Sequence, residues 1–454
     1  MSLEIAERAL GFADGPAQVT VWDERWLVSR YARSAPTQAT DVHDTQVHVL
    51  AWHEGHLGAA LTNRTDDDAL RDAWRRASAA AQAARASGGE GDHPGLPDPA
   101  PVRRSDHGFD PATAHLDPVE AGGALATVFG VCEAAGLEAF GIWTTGDATT
   151  SIASSTGIRV SERVTDAHLK VIARDARGRS GWATGTAVAS ADIDPEAIAR
   201  RAAAKVLAGE PAELAPGEYP VVLEAPALGA LLTFLGDLAF NGLAHAEGRG
   251  ALSGRLGTRI AAPNINLSDS PRFARTLPRS FDADGVPKAP LPLIQDGVAH
   301  RVCHDTRSAA IAGHGATSTG HAYAPGGDPD GAFPSNLVMI GGGAADEAEL
   351  CRPIERGIYV TRTWYVNTVR ERETLLTGVT RDGTFLIENG EIAGPLRDVR
   401  FTTSILGLLE QTEALTARTT LESEVELYGR RFAAGVVCPS VRAQGFRVTG
   451  VTPG

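Results

Sequence analysis

Long apolar runs are missing from this 454-residue chain, and no stretch approaches the ~20 apolar residues a membrane-spanning helix needs. Basic clusters are missing as well. The formal charge is −14, with 42 Lys and Arg against 56 Asp and Glu, whereas a nucleic-acid surface demands local cationic patches. Cysteine is sparse: Cys132, Cys303, Cys351 and Cys438 are scattered without paired spacing, which fits reduced thiols in a cytoplasmic protein rather than a disulfide framework. Met1-Ser2-Leu3-Glu4 has neither the basic nor the apolar region of a secretory signal. GxSxG, P-loop and GxGxxG strings do not occur at usable positions. Gly341-Gly342-Gly343 follows an apolar run but has no Lys-Ser/Thr after it, and reads as a turn rather than a phosphate cradle.

What is present is an ordinary globular composition, 43% hydrophobic and 22% charged, in a chain long enough for two domains. An α+β class is expected, with an N-terminal α/β region over 1–215 and an antiparallel, barrel-like β region with few helices over 216–454. The first region reads as one arrangement written twice, helix, short strands, helix. In the first copy, residues 2–11 make a helix and strand-like runs follow at Val19–Trp22, Trp26–Tyr31, Gln46–Trp52 and Leu57–Thr62. A closing helix starts with Thr65 capping Asp68, carries Leu70, Trp74, Ala77 and Ala81 as its apolar stripe, and stops at Gly88-Gly89. Residues 88–112, rich in Gly, Pro and Asp, read as a linker. The second copy has a helix at Pro118–Ala135, strands near Ala139–Thr144, Thr149–Ala153, His168–Ala173 and Trp182–Ala187, and a last helix capped by Asp194 with Pro195 at its first position.

The second region opens with a buried strand at Tyr219–Leu223 and a helix at Leu228–Leu243, with a shorter helix near Cys303–Ala312. The rest is short strands punctuated by Asp282-Ala283-Asp284-Gly285, Asp296-Gly297, Asp382-Gly383 and Asn389-Gly390, pairs that accept the positive φ of tight hairpin turns. Their order, together with Gly357-Ile358-Tyr359-Val360-Thr361, Ser154-Ser155-Thr156-Gly157 and Ser318-Thr319-Gly320-His321-Ala322, resembles the TldD/PmbA (TldE) family of zinc-peptidase subunits. The Ser-Thr-Gly-His-Ala string resembles the metal-free PmbA/TldE-like branch.

The resemblance implies where a zinc site belongs. Zinc-bearing members place HExxxH on the first long helix of the second domain, with a cysteine near the C-terminus as a further ligand. Zinc requires about four ligands at ~2.0–2.3 Å and a base for its water. Anchored on Leu252–Gly257, the motif falls on Thr233–Leu238, so Thr233 and Leu238 stand at the histidine positions and Phe234 at the base. None of these side chains can do that work, and His245 is the only histidine between 169 and 299. Cys438 matches the cysteine position, and without imidazoles it reads as a small buried side chain.

Other polar groupings are weighed the same way. His53-Glu54-Gly55-His56 lies between strand-like runs and reads as a hairpin turn. Cys303, His304, Asp305, His314 and His321, with His300 nearby, form the densest set of metal-type side chains, but Cys303 and His304 as helical neighbours point ~100° apart.

The expectation is a TldE-like, non-catalytic subunit: no catalytic residue and no metal in this chain, zinc in a TldD-like partner subunit, and a peptide substrate. Ser318, Thr319, His321 and Cys438 are its substrate or interface candidates. Glycine-rich segments at 313–320 and 376–390 are candidate edges for pairing with a peptide strand. Two alternatives stand beside it, a metal-dependent hydrolase using the Cys/His set around 303–321, and a homodimeric peptide-binding or maturation protein.

Overall fold

The computed structural model describes residues 1–88, 91, 93–115, 117–423 and 430–451; Gly89 of the expected helix stop lies outside them. The first repeat comprises α1 (Ser2–Leu10), β1 (Ala17–Ala32), β2 (Ala35–His53), β3 (His56–Thr62) and α2 (Asp67–Ala86). After the short α3 (Pro111–His115) comes α4 (Pro118–Ala134), β4 (Glu138–Ser154), β5 (Arg159–Arg174), β6 (Ser180–Ala187) and α5 (Pro195–Ala204). The six strands form one antiparallel sheet in the order β3-β2-β1-β4-β5-β6, so the copies meet along β1 and β4.

Strict period-two alternation gives this sheet two different faces. Val19, Val21, Val47, Val49 and Ala153 pack with Leu70, Trp74 and Ala77 of α2, and Leu169 and Val171 pack with residues of α4 and α5. The alternate positions, among them Gln18, Glu24, Ile152, Glu162 and Asp166, meet the C-terminal half instead.

Val19–Trp22 and Trp26–Tyr31 are one continuous strand, not two. Asp23, Glu24 and Arg25 keep the register with Thr45, Asp44 and His43, and Arg25 reaches Asp41 across the pair at 2.9 Å. The turn comes later, at Arg33 and Ser34, both with positive φ of 52° and 53°. Likewise Ala139–Thr144 and Thr149–Ala153 merge into β4. The cap of α2 is Asp66, whose carboxylate accepts from the Ala69 amide, rather than Thr65. Asp194 caps α5 through the Ala197 amide.

The C-terminal half contains β7 (Gly217–Leu223), α6 (Ala225–Phe240), α7 (Gly242–Ala246), β8 (Leu267–Asp269), β9 (Leu291–Gln295), β10 (Val298–Ala299) and α8 (Thr306–Ala312). It continues with β11 (Leu337–Met339), β12 (Arg356–Arg370), β13 (Leu375–Glu388), β14 (Glu391–Pro395), β15 (Val399–Ser404), β16 (Thr412–Glu422) and β17 (Val436–Val451). These build an eleven-stranded sheet in which β7-β12-β13-β15-β17 closes into a ring, because β17 pairs back onto β7. α6, almost wholly apolar, lies in the main core with Leu228, Leu231, Leu232 and Leu235 buried against Val441, Phe446 and Phe401. No helix of the described residues is long and apolar enough to cross a membrane.

The two halves are fastened by Arg431. Its guanidinium is buried, bonds both carboxylate oxygens of Asp166 at 2.7 Å and donates to Thr144 at 3.0 Å, while its backbone amide donates to Glu24 at 2.7 Å. Phe281 completes the contact by packing against Ile152 and Ile158.

Candidate functional site

The helix on which the resemblance would place a metal motif is α6. Its sequence contains no His and no Glu, and its single acidic residue is Asp237. Thr233 is exposed and donates back to the Gly229 carbonyl at 3.0 Å; Phe234 packs partly against the core, and Leu238 is buried within it. Cys438 on β17 is fully buried, and its thiol lies 3.2 Å from the Ala225 carbonyl. The residue of α6 that faces Cys438 is Gly229, one turn before Thr233. A Cβ at Gly229 would sit 3.5 Å from Cys438 Sγ and 3.1 Å from Glu422 Cβ. Glu422 therefore fills the space beside the thiol. Burial pushes its carboxyl up to about 7, and Thr420 donates to it at 2.7 Å. Burial also raises the Cys438 thiol well above its ordinary value. A thiol beside a glycine and a single carboxyl does not supply the His, Glu and Cys set that the resemblance implies for zinc. Among the described residues no three His, Cys, Asp or Glu side chains form a group that could hold a metal ion.

The dense Cys/His set does not converge. Cys303 and His304 precede the helix rather than sitting on it: Cys303 bridges to Asn241, and Asp305 caps α8 in a capping box with Ser308. His300 and His314 are exposed, the latter with φ 50°. Ser318 and Thr319 are spent on the His304 backbone: both hydroxyls lie within reach of its carbonyl, at 3.3 and 3.1 Å, and Thr319 Oγ1 accepts from its amide at 2.7 Å. Gly320, with φ 77°, passes so close to the Pro287 carbonyl that no Cβ fits.

His321 alone of that string reaches a polar centre. Its Nδ1 is 2.9 Å from Thr319 Oγ1, and its Nε2 lies 3.3 Å from Asp269 Oδ1, which is also 3.2 Å from Lys288 Nζ. All three side chains are buried. The His321 Nε2 and Asp269 Oδ1 atoms are at ion-pair distance but misaligned for a hydrogen bond. Asp269 Oδ2 accepts from the Asn336 amide at 2.8 Å. Burial opposes ionisation of Asp269, but the Lys288 ammonium and His321 outweigh it and hold the carboxyl well below the usual range. Burial, reinforced by the Lys288 charge, lowers His321 below its ordinary value, against the opposing pull of Asp269.

This centre lies beneath a crevice between the two halves. The crevice is walled on the sheet side by Trp22, Glu24, Thr150 and Glu162, and on the other by Arg279, Asp282, Tyr323 and Phe432. A narrower recess continues inward past Arg279 and Asp282 to Lys288 and His321. Arg279 stacks on Phe432 at 3.9 Å and donates through Nη2 to the Ala433 carbonyl at 3.2 Å. Asp282 and Asp284 share the Asp-Ala-Asp-Gly turn. Burial raises both, with repulsion between them adding to the shift at Asp282. Both oxygens of Asp282 accept backbone amides, from Val286 and Asp284 at one and from Ala322 at the other.

Sequence reasoning placed His321 but missed Asp269, Lys288, Arg279 and Arg431. One signal was available: Lys288 is one of only three lysines in the chain, beside Lys170 and Lys205. The Asp282 string signals a turn, and nothing in it marks its carboxyls as buried.

The fold has counterparts in known proteins. The family model described as PmbA/TldA metallopeptidase C-terminal domain matches residues 216–450, and that described as the central domain matches residues 127–210. A protein named metalloprotease, from Methanothermobacter thermautotrophicus, is 26% identical over 226 residues, which is 49% of this chain and 48% of that protein. The match thus spans about half the length of that curated relative. TldE from Thermococcus kodakarensis has a similar structure, with a TM-score of 0.84 at 19% identity over 98% of this chain and 99% of that one. A proposed modulator of a DNA gyrase from Thermotoga maritima superposes with a TM-score of 0.81 at 20% identity, covering 98% and 99% of the two chains. A second such protein, from Bacteroides thetaiotaomicron, gives 0.79 at 18% identity, covering 99% and 98%. At these identities the structures show a shared fold, and the family follows from the sequence match over residues 216–450: the chain belongs to the PmbA/TldD metallopeptidase family.

Proposed function

We propose that this protein is a TldE/PmbA-like, non-catalytic subunit of a TldD/TldE-type peptidase, holding no zinc of its own and acting in peptide proteolysis or maturation with a zinc-bearing sister subunit. One observation carries the reading: the helix turn that faces Cys438 presents Gly229, and the adjoining space is filled by Glu422, so no imidazole of α6 stands beside the thiol. The sister would supply metal and base, and this chain a chamber wall and an interface. A cytoplasmic setting goes with that role.

The test is co-expression with a homologue that carries HExxxH on the matching helix. The expected result is a stable joint species with peptidase activity that neither chain shows alone. A chain that purifies alone, joined to a pair with no peptidase activity, contradicts the reading. So does stoichiometric zinc in chelator-free protein that disappears on Cys438→Ala.

A further inference from the structure

Among the described residues, Arg279 is a cation without a carboxylate partner. Its Nε is sealed from solvent and has no hydrogen-bond partner, and no carboxylate of the described residues lies within ion-pair distance of its guanidinium. Glu162, the acidic group that most affects it, is already engaged, because both its oxygens accept from Ser280, one from the amide at 2.9 Å and the other from the hydroxyl. The guanidinium is held in place regardless, by the stack on Phe432 and the bond to the Ala433 carbonyl. A desolvated guanidinium with an unused donor is costly to maintain, and its natural complement is an anion.

We propose that Arg279 is the recognition residue for the C-terminal carboxylate of a short peptide bound in the interdomain crevice. The inference rests on the reading of this protein as one that handles peptides. The planar edge of a guanidinium matches a carboxylate fork, and Arg279 lines the crevice in which the peptide would lie. Arg279 borders both the outer crevice and the inner recess, so a chain end meeting it has an aromatic wall of Phe432 and Tyr323 for its last side chain. Tyr323 sits 5.1 Å from Phe432 and 5.9 Å from Phe333, ring centre to ring centre, forming a continuous apolar surface. The sheet-side wall carries Asp23, Glu24 and Glu162, which disfavour a doubly charged phosphate more than a singly charged carboxylate. Burial raises the Asp282 carboxyl above the ordinary carboxylate range, which lessens its repulsion of an anion next to Arg279.

The experiment is calorimetric titration of the full chain, without a partner, with N-acetyl-Ala-Phe as the free acid and as the amide. The free acid is expected to bind about tenfold more tightly, as loss of one charge-assisted fork would give. Arg279→Gln is expected to erase that preference and leave the amide's affinity unchanged. Arg279→Lys, which keeps the charge but not the fork, is expected to retain only about a threefold preference. Equal binding of acid and amide by the unaltered protein overturns the proposal, and so does an undiminished preference in either variant. Displacement of the dipeptide by inorganic phosphate at equal concentration overturns the carboxylate assignment. Because the readout is binding to the isolated chain, it stands or falls independently of whether a zinc-bearing partner exists.

Discussion

Single residues in this protein carry charge in places where charge is expensive. Asp269 and Lys288 are the clearest pair, buried together with His321 at their side. Removing one member leaves the other uncompensated, so Lys288→Met is expected to destabilise the fold by about 3–5 kcal/mol in urea unfolding. The double change Asp269→Leu with Lys288→Met is expected to recover most of that loss, because an apolar pair carries no desolvation penalty. Glu422 behaves differently. Its folded value of about 7 exceeds the ordinary 4.5, so the folded state holds the proton more tightly and stability falls as pH rises between these two values. Glu422→Gln is therefore expected to match the unaltered protein near pH 5 and to exceed it by on the order of 2 kcal/mol at pH 8, measured by denaturant midpoints at the two pH values. His321, lowered by burial, has the opposite sign: its contribution is lost as pH falls below the ordinary histidine value toward the folded one.

At the scale of elements, α6 and the strand that faces it bear on the proposal that this chain holds no zinc. Gly229→His is expected to destabilise the protein by about 1–3 kcal/mol through overpacking against Glu422 and Cys438, without conferring stoichiometric zinc by elemental analysis. Zinc uptake by that variant would mean the pocket beside Cys438 is more adaptable than its packing allows. The same element shows how far sequence could go. Helices were legible from their caps and stripes: Asp194 before Pro195, and the Leu70, Trp74, Ala77 series, each leave a local signature. Strand lengths were not, because Asp23-Glu24-Arg25 reads as a break until the cross-strand partner Asp41 and the distant Arg431 are known to satisfy it. Cys438 could be picked out, but not the residue opposite it, since an ungapped anchor placed the motif one helical turn beyond Gly229. The charged centre around Asp269 was invisible for the same reason, as its members lie on separate loops and strands that only the fold brings together.

At the scale of the whole molecule, the two halves are joined mainly through the uncovered face of the N-terminal sheet. Arg431 is the central fastening, with Asp166, Thr144 and Glu24 all reached from one residue. Arg431→Ala is expected to cost about 3–5 kcal/mol by leaving Asp166 buried and unpaired, and to open the crevice. Limited proteolysis should then cut residues 205–216 faster than in the unaltered protein, and an unchanged cleavage rate would argue that the apolar contact of Phe281 with Ile152 and Ile158 suffices alone. The outer crevice exists only in the joined molecule, whereas the centre of Asp269, Lys288 and His321 lies wholly within the segment 216–450.

The closing strand of the C-terminal ring has a consequence for how the protein is made. Val436–Val451 pairs with β7, β11, β15 and β16, so β16 finds its strand neighbour, and β7, β11 and β15 their second one, only once it has been synthesised. Contacts this distant in sequence slow folding, because loop closure must precede any gain from pairing. During translation the earlier strands must wait with open edges, a window in which a nascent-chain chaperone has most to protect.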